Sequence, residues 1–349
     1  MTEHFDVPDT SYLFGTPYAT TAPETRHGPK LVVAVPNGHR PPVAPVVALP
    51  PLTWQRLSEV EMRSIVFVDK PLLQADAFHI VCGRKGTGKG TLLASFAARV
   101  TRGELGAKRN VVWIGSEDSA SIDIRPRIEA AGGDSDRVLV VKSGWVQLPR
   151  DLEAIADAMT GFGDVGMLVV DPVGNHISGK NSNSETDIRD AIAPLNDLAD
   201  VHKTMVFGVR HLSEKDCSQG VLAGILGSSA WVQTPRAVIA VVRDNEDATI
   251  SHVQCVAGNR IPEGSPGGMF RIDGVLLPEL ENEVTRAEWI GDSQKDVETM
   301  LAADIPTQTP KSPCNPPTGP GLFKPKTDGI WVVHIPGFRV RDLGRDVDA

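Results

Sequence analysis

Residues 77–93 read Ala77-Phe-His-Ile-Val-Cys-Gly-Arg-Lys-Gly-Thr-Gly-Lys-Gly-Thr-Leu-Leu93, and this stretch decides the fold. An apolar run enters a glycine-rich turn, and a pattern with helical periodicity follows it. Glycines let the backbone curl so that successive N–H groups point at phosphate oxygens. The amino end of the following helix adds partial positive charge. Strand, loop and helix together predict a phosphate-binding loop.

The spacing of Gly83, four residues, Gly88 and Lys89 is that of a P-loop, in which the lysine reaches the β- and γ-phosphates. We therefore expect ATP and Mg²⁺ as ligands. The predicted nucleotide-binding residues are Gly83, Arg84, Lys85, Gly86, Thr87, Gly88, Lys89, Gly90 and Thr91. Position 90 departs from the pattern because it usually carries the Ser or Thr that binds Mg²⁺. Thr91 follows it and is the candidate metal ligand.

Bulk composition is that of a globular protein that is not broadly basic. The chain has 349 residues, 41% of them hydrophobic and 23% charged, with a formal net charge of -9. Four scattered cysteines without metal-like pairs favour a reduced, cytoplasmic setting. The chain has no run of 18 apolar residues and no secretory pattern at its start, so we expect no membrane association. The net charge disfavours a generally basic nucleic-acid surface but does not exclude a basic loop or channel.

The order of apolar runs predicts four segments. Residues 1–52 form a proline-rich, flexible arm, 53–275 an ATPase domain, 276–305 a C-terminal extension of the core, and 306–349 a proline-rich tail. Within the core, Val- and Ile-rich strands alternate with helical patterns, which predicts a mostly parallel α/β sheet flanked by helices. The last strands follow each other without helices and predict antiparallel additions at one edge of the sheet.

Two further strands end in acidic residues. Gly166-Met-Leu-Val-Val-Asp171 has the Walker B form, and Asp171 is expected to help hold Mg²⁺ beside the P-loop. Val111-Val-Trp-Ile-Gly-Ser-Glu117-Asp118 supplies Glu117 as the candidate base that orients the attacking water. The alternative for this second segment is helix capping, a role that suits Asp118.

Histidine and arginine residues after the later strands complete the candidate site. His211 ends a third strand and is expected to sense the γ-phosphate through a hydrogen bond, although a lone histidine is usually structural. Arg236 is a candidate cation for the γ-phosphate, in a neighbouring subunit or as a plain surface arginine. Asn259-Arg260 has a similar claim. The candidate nucleic-acid or phosphate contacts are Arg210 and Lys215, and Arg125 and Arg127 are candidate interface or nucleic-acid contacts.

This series of motifs over residues 65–275 resembles the RecA-like ATPases, and most closely the RepA-type branch related to the DnaB hexameric helicases. The segments that carry the resemblance include Ser116-Glu-Asp-Ser-Ala, Asp171-Pro172, Asn183-Ser-Glu-Thr-Asp-Ile-Arg189 and Gly227-Ser228-Ser229. The resemblance implies a RecA-like core, ATP bound at the subunit interfaces of a ring such as a hexamer, and single-stranded DNA in its channel. It further implies a helicase or motor in the replication or recombination of a phage, plasmid or bacterial replicon, working with other proteins of those processes. Relatives often carry a lysine before the Asn of the last strand, where this chain has Val256-Ala-Gly-Asn259.

Two other functions remain open from the sequence. A regulatory or scaffold ATPase would act on protein partners without moving DNA, which the negative charge and the proline-rich ends favour. A small-molecule kinase is suggested by Gly88-Lys-Gly-Thr91, but no arginine-rich lid segment accompanies it.

Overall fold

The apolar run after Ala77 forms β3 (Phe78–Gly83), a strand whose residues are all buried because other strands flank it on both sides. The computed structural model describes residues 54–303 apart from 70–71, 178, 180, 182, 214–219, 226 and 263. Within these residues, nine strands form one sheet in the order β11-β10-β9-β8-β3-β7-β6-β4-β5. The other eight are β4 (Asn110–Gly115), β5 (Val138–Val140), β6 (Val165–Asp171), β7 (Met205–His211), β8 (Ala237–Arg243), β9 (Ile250–Gly258), β10 (Gly267–Leu276) and β11 (Glu283–Ser293).

The parallel and antiparallel strands separate as the sequence predicts. Strands β5, β4, β6, β7, β3 and β8 run parallel to their neighbours. Strands β9, β10 and β11 then add antiparallel at one side. The predicted mostly parallel α/β class with antiparallel edge strands is therefore confirmed. A separate two-stranded ribbon, β1 (Phe67–Asp69) and β2 (Leu73–Gln74), precedes β3.

The helices connect the parallel strands. They are α1 (Lys89–Arg102), α2 (Arg125–Ala130), α3 (Leu152–Phe162), α4 (Glu185–Ile192), α5 (Pro194–His202), α6 (Val221–Gly224), α7 (Ala230–Gln233) and α8 (Val297–Ala303). The predicted bend at Pro194 is a break between α4 and α5, with the proline in the first turn of α5, where it needs no intrahelical partner. In the described part of the chain, no helix is both long enough and apolar enough to cross a bilayer.

Two apolar layers cover the faces of the sheet because successive strand residues point to opposite sides. In β3, Phe78, Ile80 and Cys82 face one layer and Val81 faces the other. The first layer also receives α3, α4, α5 and α8. The second receives α1 and packs around Phe207, whose ring stacks on that of His79 at 5.0 Å between centroids.

The segment after residue 275 supplies part of the sheet and of the core. Strand β11 pairs with β10 along its whole length, and Val297 of α8 is fully buried. The end of β11 is fixed to the neighbouring strands through His252, whose Nδ1 lies 2.6 Å from the Ser293 Oγ and whose Nε2 lies 2.7 Å from the Asp244 Oδ2. We call β10 and β11 the C-terminal hairpin.

The chain divides into two compact units between Met62 and Arg63. The described part of the first unit contains one 3-10 turn, Leu57–Glu59, in which every residue is exposed. All elements from β1 onward belong to the second unit.

Candidate functional site

The loop between β3 and α1 adopts left-handed backbone angles at two glycines, Gly86 at φ 81° and Gly88 at φ 88°. An L side chain is strained at such angles, which accounts for the glycines. The first residue of α1 is Lys89, whose side chain folds back over the loop. Its Nζ donates hydrogen bonds to the carbonyl oxygens of Gly83 at 2.9 Å and Arg84 at 2.8 Å. Burial lowers the pKa of Lys89 to about 8, so its charge lacks the anionic partner that a phosphate would provide.

Parallel pairing brings the ends of the acid-bearing strands to the same edge of the sheet. Gly83 lies opposite His211 across β3 and β7, and Gly115 lies opposite Asp171 across β4 and β6. Strand β7 therefore separates the P-loop strand from the Walker B strand. The carboxyl edge of a parallel α/β sheet is where such folds bind ligands.

Glu117 lies between two side chains that fix its carboxylate. The His211 Nε2 is 3.4 Å from the Glu117 Oε2, and the Asn175 Nδ2 donates to the Glu117 Oε1 at 3.2 Å. The same amide also reaches the Ser116 Oγ at 3.2 Å. Burial, together with the nearby Lys89 cation, lowers the pKa of His211, so the imidazole is neutral at pH 7 and retains one N–H donor.

Asn175 was not expected from the sequence. It lies on the 3-10 turn Val173–His176 that follows Asp171 and Pro172. The turn keeps Asn175 at the edge of the sheet while its neighbours Val173 and His176 are buried. The Gly-Asn pair after the Walker B acid was the available signal, but turn-forming residues are common after strands.

A second group of charges surrounds Gly90. A Cβ placed on Gly90 would lie 3.4 Å from the Arg127 Nη1, 3.6 Å from the Asp118 Oδ2 and 3.9 Å from the Asp171 Oδ2. Arg127 pairs with Asp118 through Nη1 and donates to the Asp123 Oδ1 at 3.0 Å through Nη2. Burial, with Asp118 as the next cause, raises the pKa of Asp171 to about 7. The carboxylate of Asp171 therefore lies where a cation would stabilise its charged form.

The C-terminal hairpin forms another wall of the site. The Ile272 Cδ1 would lie 2.5 Å from a Cβ at Gly88, and the Thr285 Oγ1 is 3.4 Å from the Thr91 Oγ1. Arg243, at the end of β8, donates from Nη2 to the carbonyl oxygen of Gly86. These hairpin residues and Arg243 were not expected from the sequence, since no local pattern connects them to the P-loop.

The resulting cavity measures about 340 Å³ and joins most of the expected residues. Its lining comprises Lys85, Gly86, Gly88, Lys89, Gly90, Thr91, Glu117, Asp118, Arg127, Asp171, Val209, His211, Arg243, Ile272 and Thr285. A larger cavity of about 520 Å³ lies along α1 near Arg99 and Trp289 and contains no P-loop residue. The chemistry is concentrated in the smaller cavity.

Two expected arginine sites lie away from this cavity. Arg236 precedes β8, and its backbone N–H donates to the carbonyl oxygen of Phe78 at 2.8 Å, at the opposite edge of the sheet from Gly83. The path along the strand from Phe78 to Gly83 spans about 17 Å. Arg260 follows β9, which runs antiparallel to β8, and so lies at the same edge as Arg236. The structure therefore does not favour Arg236 as a cation for the P-loop of its own chain.

The two expected nucleic-acid contacts have different outcomes. The guanidinium of Arg210 packs over the buried ring of Trp231, 4.2 Å from the ring centroid, and is largely enclosed. This position does not favour contact between Arg210 and a nucleic acid. Lys215 lies outside the described residues.

Sheet order, P-loop and strand-end acids together define a RecA-like P-loop ATPase. A family model described as an AAA domain matches residues 44–216, a range that contains Lys89, Glu117, Asp171 and His211. No curated protein sequence matches the chain significantly. Among the solved structures that match is the ATPase domain of a DnaB-like helicase, with 12% sequence identity and a TM-score of 0.45, over 60% of this chain and 84% of that chain.

Proposed function

We propose that the protein hydrolyses ATP with Mg²⁺ and uses the energy in an oligomeric motor acting on single-stranded DNA in replication or recombination. The observation that carries the proposal is the fixed carboxylate of Glu117, held by Asn175 and His211 at the sheet edge where the P-loop ends. A carboxylate of this kind suits the orientation and deprotonation of an attacking water. Binding alone does not require it.

Nucleotide binding begins with the P-loop. The N–H groups of the loop and of the first turn of α1 are the donors for the β- and γ-phosphates. The Lys89 ammonium exchanges its two backbone carbonyl acceptors for phosphate oxygens, and this compensates a charge that burial disfavours. Arg243, which already contacts the carbonyl of Gly86, holds the loop tip and adds positive charge beside it.

The side chains around Asp171 fit a magnesium site. Mg²⁺ prefers oxygen ligands and usually keeps several waters. Asp171 supplies a largely buried carboxylate whose raised pKa signals a missing cation, and Thr91 supplies a hydroxyl in the first turn of α1. When bound with ATP, the ion neutralises charge that develops on the β- and γ-phosphate oxygens.

Hydrolysis then depends on Glu117 and His211. Glu117 accepts a proton from the water that attacks the γ-phosphorus. Its hydrogen bond from Asn175 limits the directions its oxygens can take. The neutral imidazole of His211 has an N–H that can donate to a γ-phosphate oxygen or to Glu117. Loss of the γ-phosphate changes this choice, and His211 thereby reports the state of the nucleotide to the segment after β7.

The assembly is proposed to be a homo-oligomer, such as a hexamer, located in the cytoplasm. Arg236 and Arg260 lie together at the edge of the sheet opposite the P-loop. A cation on that edge is suited to approach the γ-phosphate of a neighbouring subunit, as an arginine finger acts in trans. The resemblance to RepA- and DnaB-type ATPases supports the same arrangement, with DNA in a central channel.

An ATPase that acts on protein partners is the second candidate. Two observations favour it, the enclosed position of Arg210 and the net charge of -9. A small-molecule kinase is less favoured, since Glu117 and its two fixing partners are suited to activating water.

Steady-state ATP hydrolysis with and without single-stranded DNA tests the proposal, with Lys89→Ala as the inactive reference. We expect hydrolysis that rises several-fold with DNA and disappears in the reference variant. Hydrolysis that is insensitive to DNA would favour the protein-partner function. Phosphate transfer to a nucleoside monophosphate instead of water would favour the kinase.

A further inference from the structure

The glycine at position 90 is not required by the backbone. Gly90 lies in the first turn of α1 and, unlike Gly86 and Gly88, has no positive φ. A Cβ there would make ordinary van der Waals contacts, at 3.4 Å or more, with its neighbours. The chain therefore lacks a side chain at a position that could accommodate one and that usually provides a hydroxyl to the metal.

The space in front of Gly90 is bordered by two carboxylates. The Cβ position lies between the Asp118 Oδ2 at 3.6 Å and the Asp171 Oδ2 at 3.9 Å. Asp118 is the nearest acidic oxygen to that point, closer than Asp171, which has the Walker B position. The electrostatic effect of Asp118 also helps to raise the pKa of Asp171, so the two groups are near enough to repel each other without a cation.

Arg127 holds Asp118 in this position. Its Nη1 pairs with Asp118, and its Nη2 pairs with Asp123, on the turn that precedes α2. A carboxylate has two oxygens and about four acceptor sites. Asp118 can therefore remain paired with Arg127 while it accepts a further ligand on the side of Gly90.

We propose that Asp118 is a metal-organising carboxylate that acts with Asp171 on the Mg²⁺ of the bound nucleotide and replaces the hydroxyl that Gly90 lacks. The assignment rests on the proposed function, since it needs a nucleotide–Mg²⁺ complex in the P-loop. Thr91 is then a weaker participant, because its hydroxyl lies against Thr285. Arg127 is a positioning residue that fixes Asp118.

The test separates metal binding from nucleotide binding. Binding of a fluorescent ATPγS analogue is measured with EDTA and with Mg²⁺, and bound Mn²⁺ is followed by electron paramagnetic resonance. For Asp118→Asn we expect unchanged affinity in EDTA and a loss of metal affinity of about tenfold or more. Asp123→Asn is the matched control. It makes the same charge change on the other partner of Arg127, outside the cavity lining, and should bind the metal as the parent protein does.

A second variant makes the test independent of folding. Gly90→Ser adds the missing hydroxyl, so Gly90→Ser/Asp118→Asn should recover most of the metal affinity that Asp118→Asn loses. Equal metal affinity in Asp118→Asn and the parent protein would overturn the assignment. An equal loss in Asp123→Asn would also overturn it, since Asp118 would then act only through Arg127. Absence of nucleotide binding by the parent protein, with or without metal, would instead reject the proposed function and this assignment with it.

Discussion

The Asn175 Nδ2 lies 3.2 Å from the Oε1 of Glu117, so an amide on the turn after β6 fixes a carboxylate on the segment after β4. Because Asn175 contacts the carboxylate and does not line the cavity itself, its contribution should be to catalysis rather than to binding. For Asn175→Ala we expect kcat to fall roughly tenfold, a part of the effect of removing a general base. The dissociation constant of ATPγS should be nearly unchanged. Parallel measurements of kcat and ATPγS affinity separate the two effects.

Glu117→Gln provides the reference for this comparison. It should lower kcat by about a hundredfold or more, because the base itself is lost. Adding Asn175→Ala to Glu117→Gln should then have little further effect. If Asn175→Ala left kcat at the parent value, Asn175 would have no role in positioning Glu117.

Arg243 and Arg236 should differ in where they act. Arg243 contacts the P-loop of its own chain through the carbonyl of Gly86, whereas Arg236 lies at the opposite edge of the sheet. We expect Arg243→Ala to weaken ATPγS binding and Arg236→Ala to leave it unchanged. In the assembled protein, Arg236→Ala should lower kcat on the order of a thousandfold if Arg236 acts as a finger in trans.

Mixing subunits tests the neighbour role of Arg236 directly. Lys89→Ala subunits cannot bind nucleotide productively but carry an intact Arg236. Their addition to Arg236→Ala subunits should restore activity at the mixed interfaces, whereas Arg243→Ala subunits with Arg236→Ala subunits should recover less. An unchanged rate in the first mixture would remove Arg236 from the neighbouring site.

Local patterns in the sequence were enough to predict the P-loop, the two acid-bearing strands and the antiparallel edge. Each is encoded in a short segment, such as the glycine spacing before Lys89 or the apolar run before Asp171. Strand pairing then places Gly115 opposite Asp171 and Gly83 opposite His211, which brings the predicted residues together.

The remaining site residues depend on contacts between distant segments. Ile272 and Thr285 reach the P-loop only because the C-terminal hairpin packs beside α1, nearly two hundred residues later in the chain. Asp118 and Arg127 meet Gly90 through the path of one loop, which no spacing rule specifies. The location of Arg236 depends on the direction of β8, and a sequence pattern for a strand does not give its direction.

Two glycine substitutions should report how closely the C-terminal hairpin packs on the P-loop. Both Gly86 and Gly88 have positive φ, but a Cβ at Gly86 would meet no atom within 4 Å, whereas at Gly88 it would meet Ile272. We expect Gly86→Ala to cost about 1–2 kcal/mol of unfolding free energy from backbone strain. Gly88→Ala should cost about 1–3 kcal/mol more because of overpacking. Urea unfolding followed by circular dichroism measures both.

Ile272→Ala identifies the source of that difference. In the Ile272→Ala background, the additional cost of Gly88→Ala over Gly86→Ala should shrink, since the clashing methyl group is gone. The cost of Gly86→Ala should not change. Equal costs for the two glycine variants in the parent protein would mean that the hairpin does not pack against Gly88 in solution.

His79 should make the fold sensitive to mild acid. Its ring is fully buried, its Nε2 accepts from the backbone N–H of Gln74 at 3.2 Å, and its Nδ1 lies 3.3 Å from the carbonyl oxygen of Val206. Both contacts suit the neutral ring with its proton on Nδ1. Burial lowers the pKa of His79 to about 4, from an ordinary value of 6.5.

The sign of the pH effect follows from proton counts in the two states. Between pH 6.5 and 4 the unfolded chain binds a proton at His79 and the folded chain does not, so stability falls as the pH falls. The contribution lost over this window is about 3 kcal/mol, at about 1.36 kcal/mol per unit. Stability supplied by Asp151, whose pKa is lowered to about 2 mainly by Arg150, is lost only at lower pH.

Urea unfolding at pH values from about 7 to about 4 checks this prediction, with His79→Phe and Phe207→Leu compared to the parent protein. His79→Phe removes the titrating ring and should flatten the slope across the window between the two pKa values, whatever its effect at neutral pH. Phe207→Leu removes the ring that stacks on His79 but keeps the histidine. It should lower stability by a similar amount at every pH. A slope in His79→Phe as steep as that of the parent protein would assign the acid sensitivity to other groups, of which His176 and His211 also have lowered pKa values through burial.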